Sequence, residues 1–356
     1  MDTQTHLLST LNSEVRPQFL PVVVDCFAWL QVNQMRGEVV MDGVRRHNRA
    51  LCSLYWPVYS LAPDEQDFDA ETIAALSLFL GKQITRVNHK TITADYGTTV
   101  WVSPAVDFIP PWITERTSFL KIAILHDAMG FNAVGDGRRE RFFLGAKGHD
   151  VFAYVSTWAL HTFSQNHRLR ANQQFIRYGG FHEHETLPTL SGVRESDLAL
   201  SVHSINPNKN LSRARQITQS LNIARHIHVG HAYSLSEEER MALLLTGLQF
   251  AGHVSDEALA KLYRTAQTFI CASKDEGFSL PAMEAILHGV PVILLSDIPA
   301  HFEIYSDFNV TFFPVTRNDP ISYTLTVPEA QRVELFRRHH RQAVMKDLKE
   351  FIANQI

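Results

Sequence analysis

Apolar residues along the chain form short runs separated by longer stretches in which apolar positions recur at helical spacing. This alternation of strand-like and helix-like segments predicts an α/β protein with parallel sheets. A helix is predicted over RGEVVMDGVRRHNRAL (36–51), with Gly37 at the turn into it. The strand-like runs of the first half are FLPVVVD (19–25), TTVWVSP (98–104), KIAILHD (121–127) and VFAYVS (151–156).

The second half repeats the same alternation. Its helix SDEALAKLYRTA (255–266) is predicted to begin with Ser255 as N-cap and Glu257 in the first turn. The last stretch, 327–355, is predicted to be a single polar helix, either continuous or broken. The strand-like runs are DLALSVHS (197–204), HIHVG (226–230), GLQFAGHV (247–254), TFICAS (268–273) and PVILLS (291–296).

One type of unit therefore occurs twice, which predicts two Rossmann-like domains. The 356 residues suit two domains of ordinary size. We expect a first domain over 1–168, a second over 169–330 and a C-terminal helix over 331–356 that packs back on the first domain. Ligands of open α/β sheets bind at the carboxyl ends of the strands, so we expect the site in a cleft between two such edges.

Charge and composition narrow the classes of function. The chain carries 33 basic and 37 acidic residues, for a net charge of −4, which argues against a general nucleic-acid binder. Three basic clusters, at 45–49, 137–142 and 337–342, are typical of solvated helix faces, or of a surface that meets phosphates or an anionic membrane.

Cysteine usage and hydropathy indicate a cytoplasmic protein. Cys26, Cys52 and Cys271 are scattered in apolar segments, which predicts buried thiols rather than a disulfide framework. No apolar run approaches the roughly 20 residues of a membrane span, and the first residues lack the pattern of a signal peptide. Peripheral contact with the inner face of a membrane is a further expectation.

The 18 histidines raise the question of a metal site. The densest groups are HEH (182–184) and HIHVGH (226–231), and neither has the spacing of a helical His-Glu-x-x-His motif or a Cys-x-x-Cys companion. His226 and His228 would share one face of a short strand, which is as consistent with a surface pair. We therefore predict no metal.

The segment ASKDEGFSLPAMEA (272–285) carries the chemistry that the rest of the sequence lacks. It follows a predicted strand, and Pro281 suits the first turn of a helix. The backbone N–H groups before that proline would lie at the positive end of the helix, where a phosphate can bind. These groups belong to Gly277, Phe278, Ser279 and Leu280.

Two glutamates flank this corner. Glu284 is expected in the first helical turn, where the helix dipole favours a carboxylate. Glu276 is expected outside the helix, where a carboxylate facing a phosphate site needs a polyol or a developing cation as its partner. This combination predicts a nucleotide-sugar site.

The segment EGFSLPAMEA resembles the Glu-x7-Glu motif of the retaining glycosyltransferases of family 4, whose GT-B fold has two facing Rossmann-like domains. NPNKNL (206–211), FAGHVSDEALAKLYRTA (250–266) and HGVPVILLSDIPAHFEI (288–304) resemble neighbouring segments of that family. In the first half, TVWVSPAVDFIPPW and KIAILHD are similar to segments of a polysaccharide-building, mannosyltransferase-like subset. The resemblance is strong over 200–305 and weaker over 19–160.

The resemblance implies roles for individual residues. Lys209 would neutralise the donor's diphosphate, Glu276 would contact the donor sugar near the reacting carbon, and Glu284 would contact the ribose. The amides of Phe278 to Leu280 would hold phosphate oxygens. His126 would line the cleft close to the sugar, and Gly37 would let the backbone approach donor or acceptor.

Two features depart from the family pattern. The first-domain loop RGEVV (36–40) lacks the second glycine of the usual motif and carries Glu38. Many members carry an arginine beside the diphosphate, five residues before the lysine, and here that position is Ser204. Lys209 has a structural interpretation as well, as a surface lysine at a helix start, although a cation is mildly unfavourable there.

The expected function is transfer of a hexose from a nucleotide diphosphate sugar, with retention and without a metal or other cofactor, to a saccharide or lipid-linked saccharide acceptor in surface polysaccharide assembly. GDP-mannose is the expected donor. Two alternatives stay open: a catalytically inert subunit that binds a partner transferase, and a nucleotide-sugar epimerase on the same fold.

Overall fold

Buried apolar runs form the strands of two parallel sheets in the computed structural model of the chain. The structure describes residues 22–36, 43–61, 67–87, 99–107, 109–114, 118–132, 137–190, 192–230, 236–316, 321–323 and 326–355. The chain divides into two compact units. The first comprises Met1–Tyr154, Thr162–Tyr178 and Asp347–Ile356, and the second comprises Val155–His161 and Gly179–Lys346.

The first unit is built on a seven-stranded sheet with the strand order β3-β2-β1-β4-β5-β6-β7. Its strands are β1 (Val22–Asp25), β2 (Trp56–Tyr59), β3 (Thr85–Arg86), β4 (Thr99–Ser103), β5 (Phe119–Leu125), β6 (Val151–Tyr154) and β7 (Gln174–Arg177). The helices of this half of the chain are α1 (Phe27–Arg36), α2 (Gly43–Leu54), α3 (Ala70–Leu80), α4 (Pro111–Thr114), α5 (Arg138–Gly148) and α6 (Thr157–Asn166), with a 3-10 turn at Met129–Asn132.

The second unit is built on a six-stranded sheet with the order β10-β9-β8-β11-β12-β13. Its strands are β8 (Glu195–Val202), β9 (Arg225–Val229), β10 (Leu248–Gly252), β11 (Ala266–Cys271), β12 (Val292–Ser296) and β13 (Thr311–Phe313). The remaining helices are α7 (Leu211–Ser220), α8 (Glu237–Leu245), α9 (Asp256–Thr265), α10 (Leu280–Leu287), α11 (Pro299–Tyr305), α12 (Glu329–Arg338), α13 (Arg341–Val344) and α14 (Lys346–Ala353), with a 3-10 turn at Pro207–Lys209.

Both sheets have the doubly wound order in which the chain starts in the middle and turns back once. The reversal lies between β1 and β4 in the first sheet and between β8 and β11 in the second. All the described strand pairs are parallel, so the carboxyl ends of β8 and β11 lie at the same edge. This arrangement confirms the prediction of an α/β fold with two Rossmann-like units.

The predicted strands are present, and so is the cap predicted for the 255–266 helix, because the Ser255 side chain accepts a hydrogen bond from the Ala258 N–H and Glu257 lies in the first turn. The helix predicted over 36–51 is present in its described part, because α2 (Gly43–Leu54) includes residues 43–51, whereas 37–42 lie outside the described residues. Helix α1 begins directly after β1, where the Asp25 carboxylate accepts the Phe27 N–H at 2.8 Å, and α2 follows as a separate helix. Gly37 lies outside the described residues.

The C-terminal stretch has the broken form of the predicted helix. After α12 the backbone of His339 and His340 pairs with His182, since the His182 N–H donates to the His339 carbonyl at 3.0 Å. The ring of His339 contacts the Gly180 carbonyl at 2.9 Å through Nδ1. These contacts lie where α12 ends, and α13 and α14 follow as separate short helices.

Two expectations from composition can be compared with the structure. Cys26, Cys52 and Cys271 are free, buried thiols, as predicted. Within the ranges that the structure describes, no helix combines the length and the apolar character needed to cross a bilayer.

Candidate functional site

The candidate site lies at the carboxyl ends of β8 and β11, where the strand order of the second sheet reverses. Crevices at this point of an open α/β sheet bind ligands because loops from neighbouring strands diverge there. The loop after β8 leads into the 3-10 turn Pro207–Lys209, and the loop after β11 leads into α10.

The turn after β8 is held by asparagine side chains. Asn206 Oδ1 accepts hydrogen bonds from the N–H groups of Asn208 at 3.0 Å and Lys209 at 3.3 Å. The Asn208 side chain in turn donates to the Asp275 carbonyl at 2.7 Å. The local sequence thus fixes the turn, and the turn aims Lys209 at the loop after β11.

Lys209 and Glu276 form an ion pair, with Nζ and Oε1 2.6 Å apart and side-chain exposures of 16% and 11%. The Ser273 hydroxyl also donates to Glu276 Oε1 at 2.6 Å. Burial alone would favour the neutral acid, but the ammonium of Lys209 outweighs it and lowers the pKa of Glu276 below its usual value. The carboxylate is therefore ionised near neutral pH.

Asp275 and Trp158, which the sequence analysis did not select, position the backbone of Glu276. Asp275 Oδ1 accepts the Glu276 N–H at 3.0 Å and the indole N–H of Trp158 at 2.8 Å. Trp158 is itself fixed at the start of α6, because the Glu303 carboxylate accepts the N–H groups of Thr157 and Trp158.

The loop before α10 has a strained backbone. Ser279 has φ 69° and ψ 65°, the left-handed region that a serine rarely occupies. The Tyr305 hydroxyl donates to the Ser279 carbonyl at 2.7 Å, and the Phe278 ring is buried edge-on against His339 at 5.1 Å. Because α10 begins at Leu280, the first N–H groups of this helix have no intrahelical acceptor and can bind an anion.

Glu284 occupies a different place from the one predicted. It is the fifth residue of α10, beyond the first turn, so the helix dipole does not explain it. Its Oε2 lies 2.6 Å from His184 Nε2 and 3.9 Å from His288 Nε2, and the residue is only 8% exposed. Burial lowers the pKa of His288 to about 4, so this imidazole is neutral near pH 7.

Three other residues predicted for the site lie at different places in the chain. Ser204 is exposed in the loop that follows β8. His126 belongs to the first unit, immediately after β5, where its Nε2 lies 3.0 Å from the Pro104 carbonyl and its ring packs edge-on against His47 at 4.9 Å. Gly277 is buried between Glu276 and the start of α10.

The histidines of β9 are not a surface pair. His226 and His228 are fully buried, and both rings lie 2.9 Å from the Ser201 hydroxyl. The other nitrogen of His226 lies 3.4 Å from the Thr218 hydroxyl. The alternation of a short strand placed both rings on one face, but that face points into the unit and not to solvent.

These buried imidazoles should make the protein sensitive to acid. Burial lowers the pKa of His226 to about 3 and that of His228 to about 4, from an ordinary value of 6.5. The unfolded chain therefore binds more protons below pH 6.5, and the stabilisation present above that pH is lost as the pH falls from 6.5 to about 4. A single such group contributes on the order of 3 kcal/mol to the loss.

Denaturant unfolding of wild type and His226→Gln between pH 7 and pH 4.5 measures this effect. The variant should be less stable at pH 7, because it disturbs the contact with Ser201, but its free energy of unfolding should fall less steeply with pH. His253→Gln, which removes an exposed histidine, is the control and should keep the wild-type slope. Equal slopes in wild type and His226→Gln would contradict the assignment.

Comparison with known proteins finds a family model that matches part of the second unit. Residues 191–324 match the model of the family described as Glycosyl transferases group 1. This part of the chain is therefore similar to the group 1 glycosyl transferases. The matched range contains β8 to β13 together with Lys209, Glu276 and Glu284. The resemblance drawn from the sequence is thereby confirmed.

Two curated relatives match shorter stretches. The GDP-mannose:cellobiosyl-diphosphopolyprenol alpha-mannosyltransferase of Xanthomonas oryzae pv. oryzae is 38% identical over 88 residues, which are 23% of this chain and 23% of the relative. The O-antigen chain mannosyltransferase B of Escherichia coli is 39% identical over 67 residues, 19% of this chain and 17% of the relative. The chain thus matches less than a quarter of the length of each relative.

Solved structures match nearly the whole chain. HepE from Anabaena, crystallised with UDP, superposes with a TM-score of 0.68 at 11% identity and covers 94% of this chain and 99% of its own. Sucrose-phosphate synthase from Thermosynechococcus elongatus gives a TM-score of 0.64 at 14% identity, with 94% and 99% covered. At such low identity the likeness shows the fold, and it confirms the predicted GT-B class.

Proposed function

We propose that the chain is a retaining hexosyltransferase that moves a sugar from a nucleotide diphosphate donor to a saccharide or lipid-linked saccharide acceptor. The observation that carries the proposal is the largely buried Lys209–Glu276 pair at the strand-order reversal, inside the segment that matches the glycosyl transferase family. A buried ion pair is costly to maintain for stability alone, whereas a transferase needs both charges at one place.

The charges fit the reaction. As the bond between sugar and phosphate breaks, negative charge grows on the leaving diphosphate and positive charge grows on the sugar ring. Lys209 and the N-terminal amides of α10 stabilise the diphosphate, and the Glu276 carboxylate favours the cationic ring. Glu284 binds the ribose in this proposal, and Ser204 lies beside the diphosphate and contributes no charge. His126 and Gly37 are proposed to approach the donor or acceptor from the first domain.

The identity of the donor rests on relatives. Both curated relatives described above are mannosyltransferases, and the name of the Xanthomonas protein specifies GDP-mannose. We therefore propose GDP-mannose as the donor, assembly of a surface polysaccharide as the process, and the cytoplasm, with peripheral contact at the inner membrane face, as the location. Transfer is proposed to retain the anomeric configuration and to require no metal.

Donor binding is expected to stabilise the protein. At a concentration of 100 times its dissociation constant, the correct nucleotide sugar should raise the free energy of unfolding by about 2.7 kcal/mol, since it binds only the folded state. Thermal unfolding with GDP-mannose, UDP-glucose and dTDP-glucose measures the effect, and we expect the largest shift with GDP-mannose.

Further observations test the proposal and separate it from its alternatives. The glycoside product should be the α anomer by NMR, and EDTA should not reduce turnover. A protein that responds to no nucleotide and co-purifies with a second transferase would instead be the catalytically inert subunit. Interconversion of donor sugars without transfer would indicate an epimerase.

A further inference from the structure

A second group of polar side chains includes Glu284, one of the residues of the proposed donor site. His184 Nε2 lies 2.6 Å from Glu284 Oε2, and His288 Nε2 lies 3.9 Å from the same oxygen. All the ligand atoms of this group lie within 4.8 Å of one another. We refer to His184, Glu284 and His288 as the His-Glu-His group.

The group has the dimensions of a four-coordinate metal site. Ligand atoms that bind Zn²⁺ tetrahedrally at about 2.0–2.1 Å are separated from each other by about 3.4 Å. The separations of 2.6 Å and 3.9 Å from Glu284 Oε2 lie on either side of that value. Small side-chain rotations, which lengthen the first and shorten the second, would therefore admit the ion.

The backbone and the rings already hold the ligands in place. Glu284 and His288 are four residues apart at the end of α10, and so they share one face. The His288 ring stacks on Tyr263 with its centroid 5.4 Å away and the planes 4° apart, and it meets the His184 ring edge-on at 5.4 Å. His184 is 30% exposed at the side chain, which gives an ion a path from solvent.

The ligand types select the class of ion. Two imidazoles and one carboxylate suit Zn²⁺ and other late divalent transition metals, whereas Mg²⁺ and Ca²⁺ prefer oxygen ligands throughout. Three protein ligands leave a fourth position for water, as in other sites with this ligand set.

We propose that the His-Glu-His group binds one Zn²⁺-class divalent ion. A consequence, which rests on the proposed function, is that the ion and the nucleotide sugar compete, because both use the carboxylate of Glu284. The ion is then an inhibitor of the transferase and takes no part in sugar transfer.

Binding of the metal alone tests the site. Chelator-treated full chain should bind one equivalent of Zn²⁺ by isothermal titration calorimetry, and Co²⁺ should give the visible absorption of a tetrahedral complex. His184→Gln, which alters the partly exposed ligand, should weaken Zn²⁺ binding by more than about 100-fold. His288→Gln should do the same, and circular dichroism verifies that each variant is folded.

His253→Gln removes an exposed histidine outside the group and should bind Zn²⁺ as the wild type does. Absence of a stoichiometric site in the wild type, or equal affinity in His184→Gln, would overturn the proposal.

A titration with GDP-mannose in the presence of Zn²⁺ tests the metal site and the proposed transferase function separately. Saturating Zn²⁺ should reduce the affinity of the wild type for GDP-mannose at least tenfold and leave that of His184→Gln unchanged. An unchanged affinity in the wild type would overturn the competition. A protein that binds Zn²⁺ but no nucleotide sugar at any metal concentration would refute the proposed function and leave the metal site standing.

Discussion

Glu276→Gln is expected to lower kcat for sugar transfer by about 10²–10³-fold, which is the usual loss when one preorganised charge that faces the transition state is removed. The substituted amide oxygen can still accept hydrogen bonds from Lys209 and Ser273, which both contact Glu276 Oε1 at 2.6 Å. The variant therefore removes the negative charge while it keeps the shape of the loop. Initial rates with GDP-mannose, under saturating donor, measure the loss.

A structural role for Glu276 predicts a different result. If the carboxylate only stabilised the loop, the variant would lose stability and its kcat per folded molecule would stay near the wild-type value. Glu334→Gln is the matched control, because Glu334 is an exposed glutamate on α12 whose surface pair with Arg338 carries little energy. Turnover of Glu276→Gln equal to that of this control would refute the assignment.

The sequence predicted those parts of the fold that depend on neighbouring residues. Strand runs such as 121–127 bury both faces and are recognisable from their composition alone. The Ser255 cap follows from a short-range pattern of side chain and backbone. The C-terminal stretch was expected to be helical, continuous or broken, but the position of the break could not be predicted, since the helix is interrupted at His339 by pairing with His182, 157 positions earlier.

The same contrast between short-range and long-range interactions applies to the candidate site. Lys209 and Glu276 could both be selected from the sequence, because each follows a predicted strand and each lies in a segment that resembles a family motif. The contact of Trp158 with Asp275 joins residues 117 positions apart, and that of His184 with Glu284 joins residues 100 positions apart. No periodicity encodes such pairs, because they depend on how loops pack once the sheet has formed.

The placement of Glu284 shows how a local argument can mislead. Pro281 correctly indicated where α10 begins, but counting from it assigned Glu284 to the first turn and its charge to the helix dipole. In the structure α10 begins at Leu280, so Glu284 is its fifth residue, just beyond the first turn, and its carboxylate lies beside two imidazoles. Its environment is therefore set by long-range contacts and not by the helix dipole.

Lys209→Met is expected to lower the free energy of unfolding by about 3 kcal/mol, because it leaves the carboxylate of Glu276 buried without its cation. The double variant Lys209→Met/Glu276→Gln should be more stable than Lys209→Met alone, since neither charge is then left unpaired. Denaturant unfolding of the four proteins at pH 7 gives the coupling energy directly.

The pH dependence of stability is an independent test of the coupling between Lys209 and Glu276. In the wild type Lys209 lowers the pKa of Glu276, so the stabilisation is present above the usual carboxyl pKa of 4.5 and is lost as the pH falls through the folded value. In Lys209→Met the carboxylate keeps only the weaker effects of the Ser273 hydroxyl and His301 against burial, so its pKa should lie above the wild-type value and acid should narrow the difference in stability between the two proteins. Lys209 and Glu276 are not energetically coupled if wild type and Lys209→Met differ by the same free energy of unfolding at pH 7 and pH 4.5. The same conclusion holds if the effects of the two single substitutions on stability add up in the double variant. The charge-based mechanism would then lose its basis, because the same electrostatic attraction that holds the pair in the free protein is what the departing diphosphate is proposed to use.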